Sequence, residues 1–465
     1  MGLIPDWSLA WDVMPDTRRG DAFSGGVAVL FGTQVFGAGI GIINGILLAR
    51  LLGPAGKGDY YILVLVPATA MVLLQLGLPQ AFNFYTARGQ TVRIGTKALV
   101  LTTGLTVVAI LGVAVLLPLL REAILHDITL ELIAFAFLAF PLALYATLTT
   151  GIVMGRRAVR WYAGVNIAYP IATTVLLVVI LGGLGPSVGG AIAVFLIASA
   201  IQAVGFALGA ASVTRAIAHP DSVTYRDLLG YGLRFYPGSL TGFFNYRADA
   251  FLIAFLIADA SADLGYYSMA VGLAEMVFFF PRAVSSLFFP HVAGSSREDS
   301  DRQVAVVARV TLLVSAAGAT LLVPAAALMI SILLPAFSPS LVPLLVLLPG
   351  VVALSGANVV GSYLRGIGRP GLPSLISLMA LAVNIVANLV LIPRLGIAGA
   401  AAASFVSYTL LSLSLSLIAA HFTGTPVTGF WVPRASDVAL VVTTLVSLVR
   451  RTLSRSRGLT GDLRV

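Results

Sequence analysis

The chain has 465 residues, of which 58% are apolar and only 10% charged, and its mean hydropathy is +1.00. A soluble domain carries about 25% charged residues, so this chain has too few to cover a water-facing surface and is predicted to lie in a membrane. It has no cysteine, which excludes disulfides, thiolate metal sites and cysteine nucleophiles. The net charge of +9 is interpreted as basic cytoplasmic loops that face anionic lipid headgroups, and not as a sign of nucleic-acid binding.

Residues 1–22 are predicted to be a cytoplasmic segment. They contain four Asp and two Trp, and they lack the basic start and apolar run of a cleavable signal peptide. We therefore expect no signal peptide, and we expect the first span to direct its own insertion.

Twelve mostly apolar stretches follow, each long enough to cross a bilayer as a helix. They are predicted to be helices because an open strand edge in lipid leaves backbone groups unpaired. The predicted spans are 25–49, 60–84, 98–118, 129–154, 163–182, 188–211, 232–257, 264–289, 307–334, 341–364, 371–393 and 397–421. Residues 438–449 are too short to span straight and are predicted to form an interfacial helix; a truncated thirteenth span is the alternative.

The distribution of Lys and Arg predicts the orientation. Twenty of them fall in one set of connecting segments, and only Arg50, Lys57, Arg121 and Arg394 fall in the opposite set. Because short cytoplasmic loops collect positive charge, the bias predicts that both termini are cytoplasmic.

Weak internal similarity divides the chain into two parts about 210 residues apart. Asp59-Tyr60-Tyr61 resembles Gly265-Tyr266-Tyr267, and Leu184-Gly185 resembles Leu395-Gly396. Parallel repeats occur in transporters, with the substrate between the halves. The predicted division is a cytoplasmic segment (1–22), an N-lobe of six spans (23–212), a cytoplasmic linker (213–231), a C-lobe of six spans (232–421) and a cytoplasmic tail (422–465).

Several stretches resemble bacterial and archaeal oligosaccharide flippases of the multidrug/oligosaccharidyl-lipid/polysaccharide (MOP) exporter superfamily. They are Leu47–Tyr61, Asp249–Leu256, Gly265–Ala270, Phe289–Ala293, Gly361–Pro370 and Asn384–Ala400. The resemblance covers roughly residues 20–420, and the multidrug and peptidoglycan-precursor branches match these stretches less well. It implies two lobes that alternate around a central cavity. It also implies a polyprenyl-pyrophosphate-linked glycan that is made in the cytoplasm and polymerised outside.

Charged residues inside predicted spans are the candidate site, because a charge in the hydrocarbon core costs at least ~2.5 kcal/mol. Arg247 and Arg282 are predicted to bind the substrate's pyrophosphate, since a guanidinium offers paired donors to phosphate oxygens. The peptidoglycan-precursor relatives place arginines in their first two spans, so neither residue is carried over from them. The alternative role for Arg247 is a structural ion pair with Asp249 or another carboxylate.

Carboxylates and amides complete the set of candidates. Glu275 is predicted to bind the coupling ion, and it is expected to share a helix face with Arg282, seven residues later; a structural ion pair with an arginine is equally compatible. Asp249 is a second coupling candidate, or a charge partner. Asn384 and Asn388 lie on one face of the predicted eleventh span. They are predicted either to contact the sugar of the substrate or to form hydrogen bonds between helices.

No phosphate-binding loop, metal-spaced histidine pair or nucleophile elbow is found in the sequence. We therefore predict no catalytic residue, no metal and no cofactor. The favoured function is a flippase in the plasma membrane, with a lipid-linked oligosaccharide and membrane lipids as partners, polysaccharide polymerases as further partners, and no nucleic acid. The alternatives are a cation-coupled multidrug exporter of the same fold and a membrane enzyme of glycan assembly.

Overall fold

The computed structural model describes residues 17–90, 93–125, 128–214 and 223–443, and helices make up most of these ranges. Within them, ten helices are long and apolar enough to cross a membrane. The chain is therefore an α-helical, multi-pass membrane protein, as predicted. One of the ten, Gly32–Leu74, covers most of the first predicted span and part of the second. The count of twelve spans and the orientation of the termini stay predictions.

The helices follow the predicted spans closely. The first seven are α1 (Thr17–Leu74), α2 (Leu78–Ala87), α3 (Ile94–Ala123), α4 (Leu130–Phe137), α5 (Ala139–Gly155), α6 (Val159–Leu176) and α7 (Val188–Thr214). The next eight are α8 (Tyr225–Leu256), α9 (Ser261–Ala274), α10 (Phe279–Gly294), α11 (Arg297–Leu333), α12 (Leu341–Gly366), α13 (Gly371–Leu395), α14 (Ile397–Thr423) and α15 (Thr428–Trp431). A π-helical turn, Leu177–Leu181, ends α6, and 3-10 turns at Glu275–Phe278 and Pro335–Ser340 lead into α10 and α12.

The first predicted span and the first part of the second form one bent helix, and the end of the second span lies in α2. At Gly53 the backbone has φ 69° and ψ −178°, a conformation that glycine adopts without steric cost. Pro54 then restarts the helix, because its ring fixes a helical φ and its missing N–H is not needed in a first turn. A sharp bend inside α1 therefore replaces the expected loop.

Contacts divide the chain into two compact units. The first comprises the described residues within 1–44, 66–115 and 130–236, and the second those within 45–65, 116–129 and 237–443. The division into an N-lobe and a C-lobe, which rests on the internal repeat, remains a prediction.

The first unit is built around α2, α5 and α7. Its core contains the buried side chains of Phe82, Phe140 and Phe206. Asn44 ties α1 to α6: its amide donates to the Pro170 carbonyl at 3.1 Å, and its carbonyl oxygen accepts from Thr174 at 2.6 Å. Such hydrogen bonds stabilise helix pairs that have no hydrophobic drive to associate in lipid.

The second unit has its core where α12 packs on α11 and α14, with Tyr363 and Leu364 fully buried. The segment of α1 after the bend packs against the start of α9 at very close range. A Cβ on Gly58 would overlap the carbonyl of Ser261, and a Cβ on Gly265 would overlap that of Pro54. Two glycines thus let the backbones touch, as small residues do at membrane helix contacts.

The tail is attached to the second unit by a buried ion pair. Asp437 accepts from Arg309 at 2.7 Å and 3.2 Å, and both side chains are only 3% exposed. Arg309 also donates to the Gly429 carbonyl at 2.6 Å. Residues 435–443 are helical, whereas the remainder of the predicted interfacial helix, 444–449, lies outside the described residues.

Candidate functional site

Two of the predicted charged residues, one in α8 and one just after α9, meet in the second unit. Arg247 of α8 forms an ion pair with Glu275, the first residue of the 3-10 turn after α9, at 2.9 Å between Nη1 and Oε1. The two side chains are 27% and 28% exposed. The pair is therefore partly accessible, unlike the fully buried pair that holds the tail.

Two tyrosines surround this pair. The Tyr61 hydroxyl oxygen, from the bent α1, accepts a hydrogen bond from Arg247. Tyr246 lies within electrostatic reach of Arg247, Glu275 and Arg282 together. The cluster thus holds two guanidiniums and the accessible Glu275 carboxylate, and the enclosed Asp249 also lies within electrostatic range of Arg247. The two guanidiniums offer hydrogen-bond donors that suit an anionic group.

Arg282 belongs to the same region but has a different environment. It is exposed, and its guanidinium lies 5.7 Å from the centre of the Phe278 ring. The expectation that Glu275 and Arg282 share a helix face assumed a continuous α-helix, whereas a 3-10 turn with three residues per turn lies between them. Glu275 pairs with Arg247 instead.

Asp249 lies about half a helical turn beyond Arg247 in α8. It is buried, with only 4% of the residue exposed. Its carboxylate accepts hydrogen bonds from the Tyr267 hydroxyl, from Ser404 Oγ at 3.2 Å and from the Ala250 N–H at 2.9 Å. These donors come from α9, α14 and α8. A buried carboxylate with hydroxyl partners can exchange a proton or hold a small cation, since it is the one full charge in that pocket of oxygens.

Asn384 and Asn388 extend the Asp249 network into α13. Asn384 Nδ2 donates to Ser404 Oγ at 3.3 Å, and Asn388 Nδ2 donates to Asn384 Oδ1 at 3.0 Å. Both asparagines are buried, and Asn388 Oδ1 has no donor. Their burial favours a role in hydrogen bonding between helices over contact with sugar.

Metal ligation by clustered side chains has little support. Over the described ranges, no group of three or more His, Cys, Asp or Glu is positioned to hold a metal ion. The mixed oxygen set around Asp249, from one carboxylate, hydroxyls and amides, offers the hard donors that a small monovalent cation prefers.

Sequence reasoning missed the tyrosines and the serine of this site. Tyr61 and Tyr267 both belong to the paired Tyr-Tyr motifs that define the internal repeat, and this positional equivalence was the signal available. Ser404 carried no signal, because a serine in an apolar helix is ordinarily bonded to its own backbone. Only the packing of α14 against α8 identifies it.

A sequence model of the family described as "Polysaccharide biosynthesis protein" matches residues 24–294, more than half of the chain. The probable low-salt glycan biosynthesis flippase Agl15 of Haloferax volcanii is 24% identical over 387 residues, covering 82% of this chain and 79% of the relative.

Solved structures give the same fold. The lipid II flippase MurJ, in an inward closed conformation, matches with a TM-score of 0.70 and 14% identity over 92% of this chain and 93% of the other. An inward-facing MATE family transporter of the MOP superfamily matches with a TM-score of 0.64 and 15% identity, over 83% and 94%. The resemblance found in the sequence is confirmed: the fold is that of the MOP superfamily, and the chain belongs to the polysaccharide biosynthesis protein family.

Proposed function

We propose that this protein is a flippase that moves a polyprenyl-pyrophosphate-linked oligosaccharide from the cytoplasmic to the outer leaflet. Its place is the plasma membrane, with both termini cytoplasmic, and the delivered glycan is polymerised outside by separate machinery. The observation that carries the proposal is the family match over residues 24–294, and it is supported by the accessible cationic cluster in the matched region.

Arg247 and Arg282 are proposed to bind the pyrophosphate. Both lie within electrostatic range of Tyr246. Glu275 forms an ion pair with Arg247, and the enclosed Asp249 also acts on Arg247. A diphosphate would replace the Glu275 carboxylate as the partner of Arg247. Its oxygens would accept charge-assisted hydrogen bonds from the guanidinium, and Glu275 would be released. Substrate binding would thereby free Glu275 from its ion pair with Arg247.

Asp249 is proposed as the second coupling group. It lies in the same helix as Arg247 but faces the enclosed network of Tyr267 and Ser404. Uptake of a proton or a small cation there would alter the packing of α8 against α14. The accessible Arg247–Glu275 pair would thus respond to the substrate, and the enclosed Asp249 would respond to the coupling ion.

The multidrug exporter alternative predicts little need for Arg247 and Arg282, because organic cations are repelled by guanidiniums. The MATE structures share the fold but have only 15% identity, so they do not favour that alternative. The relatives named above are flippases and transporters, and none favours an enzyme of glycan assembly.

The test is complementation of a deletion strain, with surface glycan as the readout. Wild type, Arg247→Gln, Arg282→Gln, Glu275→Gln and Asp249→Asn are compared at equal membrane levels. Wild type should restore glycan, both arginine variants should fail, and the two carboxylate variants should be slowed or inactive. Failure of wild type, together with increased drug resistance, would replace the flippase by the exporter.

A further inference from the structure

A cavity of about 100 Å³ lies within the second unit, between α8, α12, α13 and α14. Leu354, Ala357, Pro373, Leu411 and Leu415 provide its apolar walls. Its polar lining includes Asn245, Asn358, Arg365 and Ser377. A cavity with apolar walls and a few convergent polar groups is the usual form of a site for a small amphiphile.

Arg365, in the last turn of α12, supplies the charge. Its Nη2 donates to Ser362 Oγ at 3.1 Å, and among the described residues it has no carboxylate partner within ion-pair distance. The guanidinium is exposed and folds back over Gly361. It thus keeps most of its five donors for an anion.

Asn245, in α8, supplies an acceptor to the same cavity. Only 7% of Asn245 is exposed, and its Nδ2 donates to the Ser377 carbonyl at 3.1 Å. Its Oδ1 is buried and has no donor. A buried carbonyl oxygen left without a donor costs about 1–3 kcal/mol, and a ligand hydroxyl would remove this cost.

We propose that this cavity binds a lipid phosphate diester that carries hydroxyl groups, with the phosphate on Arg365 and a hydroxyl on Asn245. The apolar walls receive the first part of the lipid chain. By the predicted orientation the end of α12 lies on the cytoplasmic side, where basic pockets between helices take up anionic headgroups. Two sources share this chemistry: phosphatidylglycerol from the bilayer and a polyprenyl phosphoryl sugar.

The cavity borders the proposed pyrophosphate site through Tyr246, but its anion-binding group is a different one, because neither Arg247 nor Arg282 lines it. Lipid binding is measured without transport, so failure of the flippase proposal leaves this one open to its own test.

The test is a titration of the detergent-purified protein by native mass spectrometry. Phosphatidylglycerol should bind wild type about tenfold more tightly than phosphatidylmethanol, which has the same charge but no headgroup hydroxyl. Asn245→Leu should abolish this preference, and Arg365→Gln should weaken both lipids about tenfold. Arg369→Gln is the matched control, since Arg369 lies four residues later, in the turn after α12, and does not line the cavity. This variant should bind as wild type does.

A polyprenyl phosphoryl monosaccharide added in competition separates the two sources. Displacement of phosphatidylglycerol assigns the site to the carrier lipid, and no displacement assigns it to the bilayer lipid; both require dependence on Arg365. The proposal is overturned if Arg365→Gln binds phosphatidylglycerol as tightly as wild type does. It is also overturned if Arg369→Gln weakens lipid binding as much as Arg365→Gln does. Gel filtration of each variant separates loss of binding from loss of folding.

Discussion

Neutralising Arg247 and Glu275 together separates a structural ion pair from a substrate site. The pair is about one quarter exposed, between the surface pairs that contribute about 0–1 kcal/mol and the buried pairs whose single removal costs about 3–5 kcal/mol. Arg247→Gln alone should therefore destabilise the protein by about 1–3 kcal/mol, because Glu275 is left partly buried without its partner. The double variant with Glu275→Gln retains a hydrogen-bonded pair without charge, and its stability should return to within about 1 kcal/mol of wild type.

Transport should not return with stability. If Arg247 binds the pyrophosphate, the double variant loses the cation that contacts the substrate, so surface glycan stays absent although the protein folds. The assays are thermal unfolding in detergent and surface-glycan complementation at equal membrane levels. The matched control is the double neutralisation of Arg302 and Glu298, an ion pair that is 73% and 76% exposed, which should change neither readout. Full glycan in the folded Arg247 double variant would refute the reasoning and leave the pair a structural role.

Three further predictions concern the packing of the second unit. Asp437→Asn should destabilise the protein by about 3–5 kcal/mol, since Arg309 is then buried without a counter-charge, whereas replacing both residues by Leu should cost far less; unfolding temperatures compare them. Burial opposes ionisation of Asp437, but hydrogen bonds from Arg309 and the Arg434 N–H outweigh it and lower its pKa. Tail attachment should therefore be complete above the unfolded-state pKa of about 3.9 and be lost as the pH falls through the lower folded-state pKa, with amide exchange of residues 424–443 as the measure. Gly58→Leu should cost about 1–3 kcal/mol by overpacking against Ser261, while Gly95→Leu, at a position with open space, should leave the unfolding temperature unchanged.

Hydropathy predicted the helices well because it reports directly on burial in lipid. Every predicted span from 98–118 onward lies within, or nearly within, a helix or a run of short helices. The joined first pair was missed because Gly53 was read as part of a loop, and a single residue with positive φ is enough to bend a helix without ending it.

The site was predicted only in part, because a sequence gives neighbours along a helix but not across helices. The charges of α8, of the 3-10 turn and of α10 stood out by their cost in lipid. The sequence did not show that Glu275 pairs with Arg247, 28 residues earlier in the neighbouring helix. Similarly, nothing in the sequence links Arg309 to Asp437, which are 128 residues apart.

The most direct test of the flippase proposal is the sidedness of the lipid-linked oligosaccharide in a depletion strain without a paralogue. Intact cells are treated with an impermeant oxidant of sugar diols, and the modified fraction of the lipid-linked pool is measured before and after depletion. The account predicts that the pool grows while its outward-facing fraction falls several-fold, and that wild type but not Arg247→Gln reverses this. An unchanged outward-facing fraction after complete depletion would contradict it.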